Sequence, residues 1–389
     1  MNKGLLLLLP AALQLFSCTG TQDPSTLKDA YADAFPIGCS IYHDVVSGKD
    51  TLAQALFLEQ FNAFTANNDF EPLTLHPRED AYNFTPADQN IEFAREHDLI
   101  VTGHTLVWHN RTPEFFWTHQ DGRPRNREEL TQMLTSYVET VTRHFSGQVD
   151  AWTVINEIIS EEGGYRDIGW VKAFGGDGDE VMRLAFQAAA KGDPVGDLYY
   201  NDYNLWRPSK VQGVVRAVEM LRSHGIKIDG VGIQAHWGLN YPEMHYVEEA
   251  IETFHSMGLK VMITELDVDV LPLSKEGQTS GSALRDPLFQ REEFMRYLNP
   301  YKDGLPKEVE HELAERYAEI MTVLYKHRDQ IERVTFWDLA DGLSWKNNYP
   351  VPNRTNYPLL FDRNFQKKEA FYRVVAVPKK VLARLGRFQ

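Results

Sequence analysis

The sequence predicts an α/β protein built as a closed (β/α)8 TIM barrel, on three observations. Short apolar runs rich in β-branched residues recur eight times at wide spacing, as strands buried on both faces do. Between them lie stretches with apolar residues at three- and four-residue steps, the pattern of amphipathic helices. Polar and aromatic side chains gather at the ends of the runs, where a barrel of this kind builds its functional face.

The runs cover residues 35–41, 61–68, 99–109, 149–157, 197–204, 230–237, 260–268 and 333–339. The helical period is clearest over 128–145 and 308–327. No Pro- or Ser-rich linker, charge block or internal repeat interrupts residues 30–377, so 30–389 reads as one domain. Residues 271–306 are polar, carry Pro and Gly, and follow the seventh run, which puts them on the functional face. A chain of 389 residues buries enough core to need no metal or disulfide staple.

The first 17 residues read as a targeting segment: Lys3 precedes an apolar run over 5–9, then Ala11, Ala12 and Leu13. The run is too short for a finished membrane span. It ends in Leu15-Phe16-Ser17-Cys18, which resembles a bacterial lipobox and implies cleavage before Cys18 with lipid attached to its sulfur. The other reading is an ordinary secretory signal in which Cys18 is incidental. Residues 18–29 are expected to form a polar tether, and the chain to be an exported lipoprotein on the outer membrane, at the cell surface or its periplasmic face. Lipidation would leave Cys39 as the only other cysteine, read as a small buried core residue without a disulfide partner.

Forty Lys and Arg against 55 Asp and Glu give a net charge of −15, which argues against nucleic acid as a partner. Aromatic residues reach 12%, which leans mildly toward a cleft that stacks on sugars. No dinucleotide fingerprint or phosphate-binding loop is present, and no cofactor is expected. No histidine pair has convincing metal-ligand spacing: His104 and His109 are five apart in an extended run and point to opposite faces, so no metal is expected either. His109 reads as a hydrogen-bonded core residue. The chain is expected to act as a monomer.

The run ends carry the chemistry. The third closes on His104-Thr105-Leu106-Val107-Trp108-His109, the fourth on Asn156-Glu157, the fifth on Asn201-Asp202-Tyr203-Asn204 and the sixth on Gln234-Ala235-His236. The seventh closes on Glu265-Leu266-Asp267, and the eighth carries Trp337. Two carboxylates across a barrel mouth, with amides, imidazoles and tryptophans around them, are what glycosidic cleavage requires. A lone Glu at a strand end is more often a surface ion pair. Here Glu157 and Glu265 each follow an apolar run and sit at equivalent depth, which favours catalysis.

These residues also carry a family likeness. Trp152-Thr153-Val154-Ile155-Asn156-Glu157 and Ile263-Thr264-Glu265-Leu266-Asp267 resemble the acid/base and nucleophile motifs of glycoside hydrolase family 10. Gly103 to His109, Tyr200 to Asn204, Asp229 to His236, Phe336-Trp337 with Asp341-Gly342 and Ser344-Trp345, and Pro358-Leu359-Leu360-Phe361-Asp362 match in the same order. The resemblance spans about residues 35–375 and implies a retaining double displacement, usually on the β-1,4-xylosidic bonds of xylan. It assigns Glu265 as nucleophile, Glu157 as acid/base, His236 and Asp267 as support for the nucleophile, and Asn156 as the contact to the sugar 2-hydroxyl. His104, Trp108, Trp337 and Trp345 match the walls and floor beside the cleavage point, and Asn68 matches a sugar contact. Gln234, Asn201 and Tyr203 are equally readable as support or as direct contacts.

Three positions depart. The family's second strand ends Glu-Asn-x-x-Lys, but here Asn67 replaces the Glu and Glu71 the Lys, while Arg111 stands at a usual Gln. Either this is drift, or the glycone pocket accepts a different sugar. The second reading expects plain xylan to be a mediocre substrate and Arg111 to grip an acidic decoration such as a uronic acid. Another β-glycan or oligosaccharide, or a non-catalytic glycan-binding surface lipoprotein, are the competing functions. Retention of both Glu157 and Glu265 argues against the last.

Overall fold

The computed structural model describes residues 26–280 and 284–385, so the leader, Cys18 and residues 18–25 lie outside the described residues. Thr26 to Asp29, expected as tether, instead cap and begin a helix (Leu27–Ala30) whose Leu27 is buried and bonded to Gln60. The apolar runs form β1 (Ile37–Ile41), β2 (Ala63–Ala66), β3 (Ile100–Val107), β4 (Ala151–Asn156) and β5 (Asp197–Asp202). They continue as β6 (Gly230–Ile233), β7 (His236–Gly238), β8 (Lys260–Asp269) and β9 (Ile331–Phe336). All pair in parallel in the order β6-β5-β4-β3-β2-β1-β9-β8-β7, and β6 also pairs with β8. The sheet therefore closes, with β6 and β7 as two parts of one barrel strand and a helix after each of the eight. The expected (β/α)8 barrel is the observed fold.

Hydrophobic patterning explains the helices. In Arg127–His144 the residues Leu130, Leu134, Tyr137, Val138 and Val141 fall on one buried face. Its start is fixed by a capping box in which Asn126 accepts from Glu129 N and Glu129 returns a bond to Asn126 N. Gly103 is glycine for steric reasons: a Cβ there would lie 2.4 Å from the Trp152 ring, which is itself fully buried against β3. Cys39 is buried and free, as expected. The 271–306 stretch holds short helices at Ser274–Ser280 and Glu292–Leu298.

Strands are shorter than the apolar runs because the chain turns sharply at the rim. Asn68, Glu157, Asn204, Ala235 and Asp338 follow five different strand positions, and all have positive φ, between 54° and 76°. Residues other than glycine rarely take this conformation, and each instance costs on the order of 1–3 kcal/mol. Such strain concentrates where side chains must be aimed for function, here around the barrel mouth. His109 falls outside β3 for the same reason: pairing ends at Val107, and His109–Arg111 forms a 3-10 turn.

Candidate active site

Glu157 caps β4 with φ 61°, and the turn is held from several sides. Its N–H donates to Asn201 O at 3.0 Å, the Tyr200 hydroxyl accepts from Ile158 N and Ile159 N, and Arg166 Nη1 donates to Glu157 O at 3.0 Å. The strained backbone thus has a rigid support that fixes where the carboxyl points. Arg166 Nη1 also lies 3.5 Å from Glu157 Oε2.

Glu265 stands on β8 and is only 5% exposed. His236 Nε2 lies 3.0 Å from Glu265 Oε2, and His236 Nδ1 lies 3.0 Å from Asp267 Oδ2. Trp345 Nε1 donates to the same Asp267 oxygen at 2.8 Å. The Asp267–His236–Glu265 chain expected from the two-residue spacing on a strand is present. Burial opposes a charge on His236, but Asp267 and Glu265 overcome it and raise its pKa to about 9. At neutral pH an imidazolium therefore stands beside Glu265 and Asp267.

A web of amides joins the two carboxylates. Asn201 Nδ2 donates to Glu265 Oε1 at 2.7 Å and to Asn156 Oδ1 at 2.8 Å. Gln234 Nε2 donates to Glu157 Oε1 at 3.0 Å and to Asn156 Oδ1 at 3.2 Å. Asn201 and Gln234 are therefore support, bonded to the carboxylates and almost fully buried. Asn156 has its oxygen occupied, and its Nδ2 makes one long contact of 3.3 Å to Glu157, so that amine is the part available to a sugar hydroxyl. Tyr203 is held by cations, with Lys210 Nζ 3.6 Å and Arg166 Cζ 5.6 Å from its ring centre.

Burial works against an ionised Glu157, but the Gln234 hydrogen bond, His109 and Arg166 outweigh it and hold its pKa below the ordinary glutamate range. His109 is itself pushed down to about 4 by burial, so its positive charge is gone at neutrality. Glu157 is thus held in its ionised form, able to accept a proton. His109 corrects an expectation: it is half-buried, its Nδ1 has no hydrogen-bond partner among the described residues, and it sits within electrostatic reach of Glu157. The turn that ends β3 carries it there.

Several of the residues expected to meet a sugar lie close to one another. His104 packs edge-on to Trp337 at 5.4 Å, and Trp345 lies 4.8 Å from His236 and stacks on Tyr349 at 4.8 Å. Trp108, Trp337, Trp345, Asn67 and Asn68 are half-buried. Glu71 and Arg111 meet: Arg111 Nε donates to Glu71 Oε2, with the Glu71 side chain 5% exposed and the Arg111 side chain 34%. Burial pushes the Glu71 carboxyl above the usual range, and Arg111 pulls it part of the way back. An Arg111 expected to await an acidic decoration is instead committed through Nε to an internal carboxylate, because the 3-10 turn after β3 points it at the cap of helix Pro72–Leu75.

Sequence reasoning missed Asp338. It follows Trp337 with φ 76°, is 1% exposed, and receives Trp345 N at 2.9 Å and Asn67 Nδ2 at 3.5 Å. Burial raises its pKa to about 7. Arg166 was missed too, since nothing local marks an arginine nine residues past Glu157.

The sequence model described as "Glycosyl hydrolase family 10" matches residues 26–377. The chain belongs to this family. Among relatives, Endo-1,4-beta-xylanase A of Xylanibacter ruminicola is 36% identical over 95% of this chain and 96% of its own. Beta-1,4-xylanase of Dictyoglomus thermophilum is 33% identical over 92% of both. A solved GH10 endoxylanase retrieved from a sugarcane soil metagenome superposes with a TM-score of 0.82 at 34% identity, covering 91% of this chain and all of the other. As a family 10 member the chain is a retaining glycoside hydrolase, and the geometry above supplies the two carboxylates that such an enzyme requires.

Proposed function

We propose that this family 10 enzyme is an endo-acting β-1,4-xylanase with a rewired glycone pocket. The observation that carries the activity is the Asp267–His236–Glu265 chain linked to Glu157 through Asn201, Asn156 and Gln234. Full-length likeness to enzymes named as xylanases supports the substrate. Glu265 attacks the anomeric carbon while protonated Glu157 gives its proton to the departing glycosidic oxygen. The resulting glycosyl ester is opened by water, whose proton passes to Glu157. The sugar leaves with its original β configuration. Asn156 Nδ2 meets the 2-hydroxyl, a contact that tightens as charge develops at the anomeric carbon.

The first product from xylohexaose, followed by proton NMR, is expected to be the β anomer before mutarotation, with cuts inside the chain. A first product of α configuration would remove Glu265 from the nucleophile role. In a complex the carboxyl groups are expected to lie about 5–5.5 Å apart.

The rewiring reading rests on the Glu71–Arg111 pair. Relative to the family pattern, a cation has moved from position 71 to position 111 and an anion has taken its place. The Nε bond orients Arg111, and its remaining guanidinium N–H groups can serve a sugar hydroxyl as the lysine does elsewhere.

Cys18 is the proposed lipid attachment point. Cys18→Ala is expected to move the enzyme from the membrane fraction to the soluble one, since several acyl chains give stable anchoring where one does not. A variant that still partitioned with membranes would remove the anchor.

A further inference from the structure

β8 presents Glu265, Asp267 and Asp269 at two-residue steps, which puts all three on one side of the strand. The reaction uses the first two. Asp269, 2% exposed, and Lys346, fully buried, have no part in it so far. Lys346 Nζ stands 3.9 Å from Asp267 Oδ1 and 3.9 Å from Asp269 Oδ2. A charge-assisted bond would close to about 2.7–2.9 Å. The separation is too long for a direct bond and fits a single small molecule between the groups.

The remaining atoms are already committed. Asp267 Oδ2 accepts from Trp345 Nε1 and is ion-paired with His236 Nδ1 at 3.0 Å, and Asp269 Oδ1 takes Asn356 Nδ2 at 2.7 Å and Leu271 N at 2.8 Å. That leaves Asp267 Oδ1, Asp269 Oδ2 and Lys346 Nζ, each buried with no hydrogen-bond partner among the described residues. The two carboxylate oxygens pair with the same ammonium only at 3.9 Å, so the hydrogen-bonding capacity of all three buried atoms is unmet, a cost that proteins meet with a bound water.

We propose that one water is bound between Lys346, Asp267 and Asp269, and that through it Lys346 is a positioning residue for the nucleophile relay. The water accepts from the ammonium and donates one proton to each carboxylate, which satisfies all three atoms. A metal cation does not fit this role, because the ammonium would repel it and only two carboxylate oxygens are offered. With the water in place Asp267 is held from both sides, by Trp345 and His236 at one oxygen and by Lys346 at the other. Lys346 also lies 4.6 Å from the Trp345 ring centre, so it braces the wall that meets Asp267. The other titratable groups facing this cluster among the described residues are His236, Tyr241, Glu265, Tyr317, Asp338 and Arg354. Only Lys346 and Arg354 bring fixed positive charge, and Arg354 acts on Asp269, so Lys346 is the one counter-charge that Asp267 shares with it.

The test uses an aryl β-xylobioside with a good leaving group, whose cleavage depends on the nucleophile and little on the acid. Lys346→Met is expected to lower kcat/KM roughly tenfold and to shift the acid limb of its pH profile upward, with KM changed little. The shift arises because loss of the Lys346 charge leaves Asp267 and Asp269 with less positive charge around them, which disfavours further negative charge on the relay. Lys346→Met combined with Asp269→Asn removes one charge of each sign and is expected to bring the acid limb back. A folded Lys346→Met enzyme with the wild-type limb, or a double variant that leaves the limb shifted, would overturn the relay role. A high-resolution crystal structure of the wild type is expected to show one water within hydrogen-bond reach of all three atoms. Direct contact of Lys346 Nζ with either carboxylate would overturn the site. If Lys346→Met fails to fold, the double variant and the crystal structure decide. A wild type inert on the xylobioside would speak against the substrate reading, and the crystal structure would still judge the water.

Discussion

Glu265→Ala is expected to abolish turnover of xylan and of activated aryl glycosides alike, while Glu157→Ala spares the first step on activated substrates. The difference follows from the bonds each residue makes. Without Glu265 no carboxylate reaches the anomeric carbon, and a loss beyond about 10⁴ in kcat is expected on any leaving group. Without Glu157 the glycosyl ester still forms when the leaving group needs no proton, and a loss of roughly 10²–10⁴ falls on xylan and on the hydrolysis of the ester. Added azide attacks without a general base, so it is expected to rescue Glu157→Ala and yield a β-glycosyl azide. Glu265→Ala with azide is expected to give at most the α-azide, by direct displacement. Product NMR and burst kinetics separate the outcomes, and a β-azide from Glu265→Ala would reverse the assignments. Arg166 adds a check: removing its charge beside Glu157 is expected to move the basic limb of kcat/KM on xylan upward, because Arg166 helps hold that carboxyl below its ordinary range.

Most of the barrel could be read from the order of residues because its signals are local. A strand buried on both faces is a continuous apolar run, and the polar residues that interrupt it mark its end. The relay was equally legible: Glu265 and Asp267 are two apart on one strand, and the spacing alone places them side by side. What escaped depends on contacts between distant positions. Arg111 and Glu71 are 40 residues apart, and each alone looks like an isolated departure from the family pattern. Lys346 lies in a three-residue 3-10 turn (Trp345–Asn347) after the last strand, too short for any periodicity to mark it as buried. Asp338 was hidden by its backbone, since nothing in Phe336-Trp337-Asp338 announces a left-handed turn on a residue other than glycine. His109 was misplaced because an extended run was assumed to continue where the chain coils into a 3-10 turn.

The Glu71–Arg111 contact makes a quantitative expectation about reverting the glycone pocket. If the two positions were independent, restoring the family's lysine at 71 would improve activity on plain xylo-oligosaccharides. As a pair they oppose it. Glu71→Lys alone sets an ammonium against the Arg111 guanidinium in a site where the Glu71 side chain is 5% exposed. Arg111→Gln alone leaves the buried Glu71 carboxylate without its cation, and that carboxyl is already pushed upward by burial. Breaking a buried pair from one side costs about 3–5 kcal/mol, and exposure of the Arg111 side chain to 34% reduces this to about 1–2 kcal/mol, or roughly one decade in kcat/KM. Each single change is therefore expected to lower kcat/KM on linear xylotetraose about tenfold, chiefly through KM. Arg111→Gln should do so on plain and acid-decorated chains alike, because the guanidinium serves Glu71 first. Glu71→Lys with Arg111→Gln restores the family's residues at these two positions, with Asn67 unchanged, and is expected to recover wild-type activity or exceed it. The measurement is a four-enzyme cycle of kcat/KM at fixed ionic strength, with thermal melts to separate folding losses. A coupling near zero would mean the ion pair does not govern the pocket, and selective loss on uronate-bearing chains with Arg111→Gln would return Arg111 to recognition of acidic side groups.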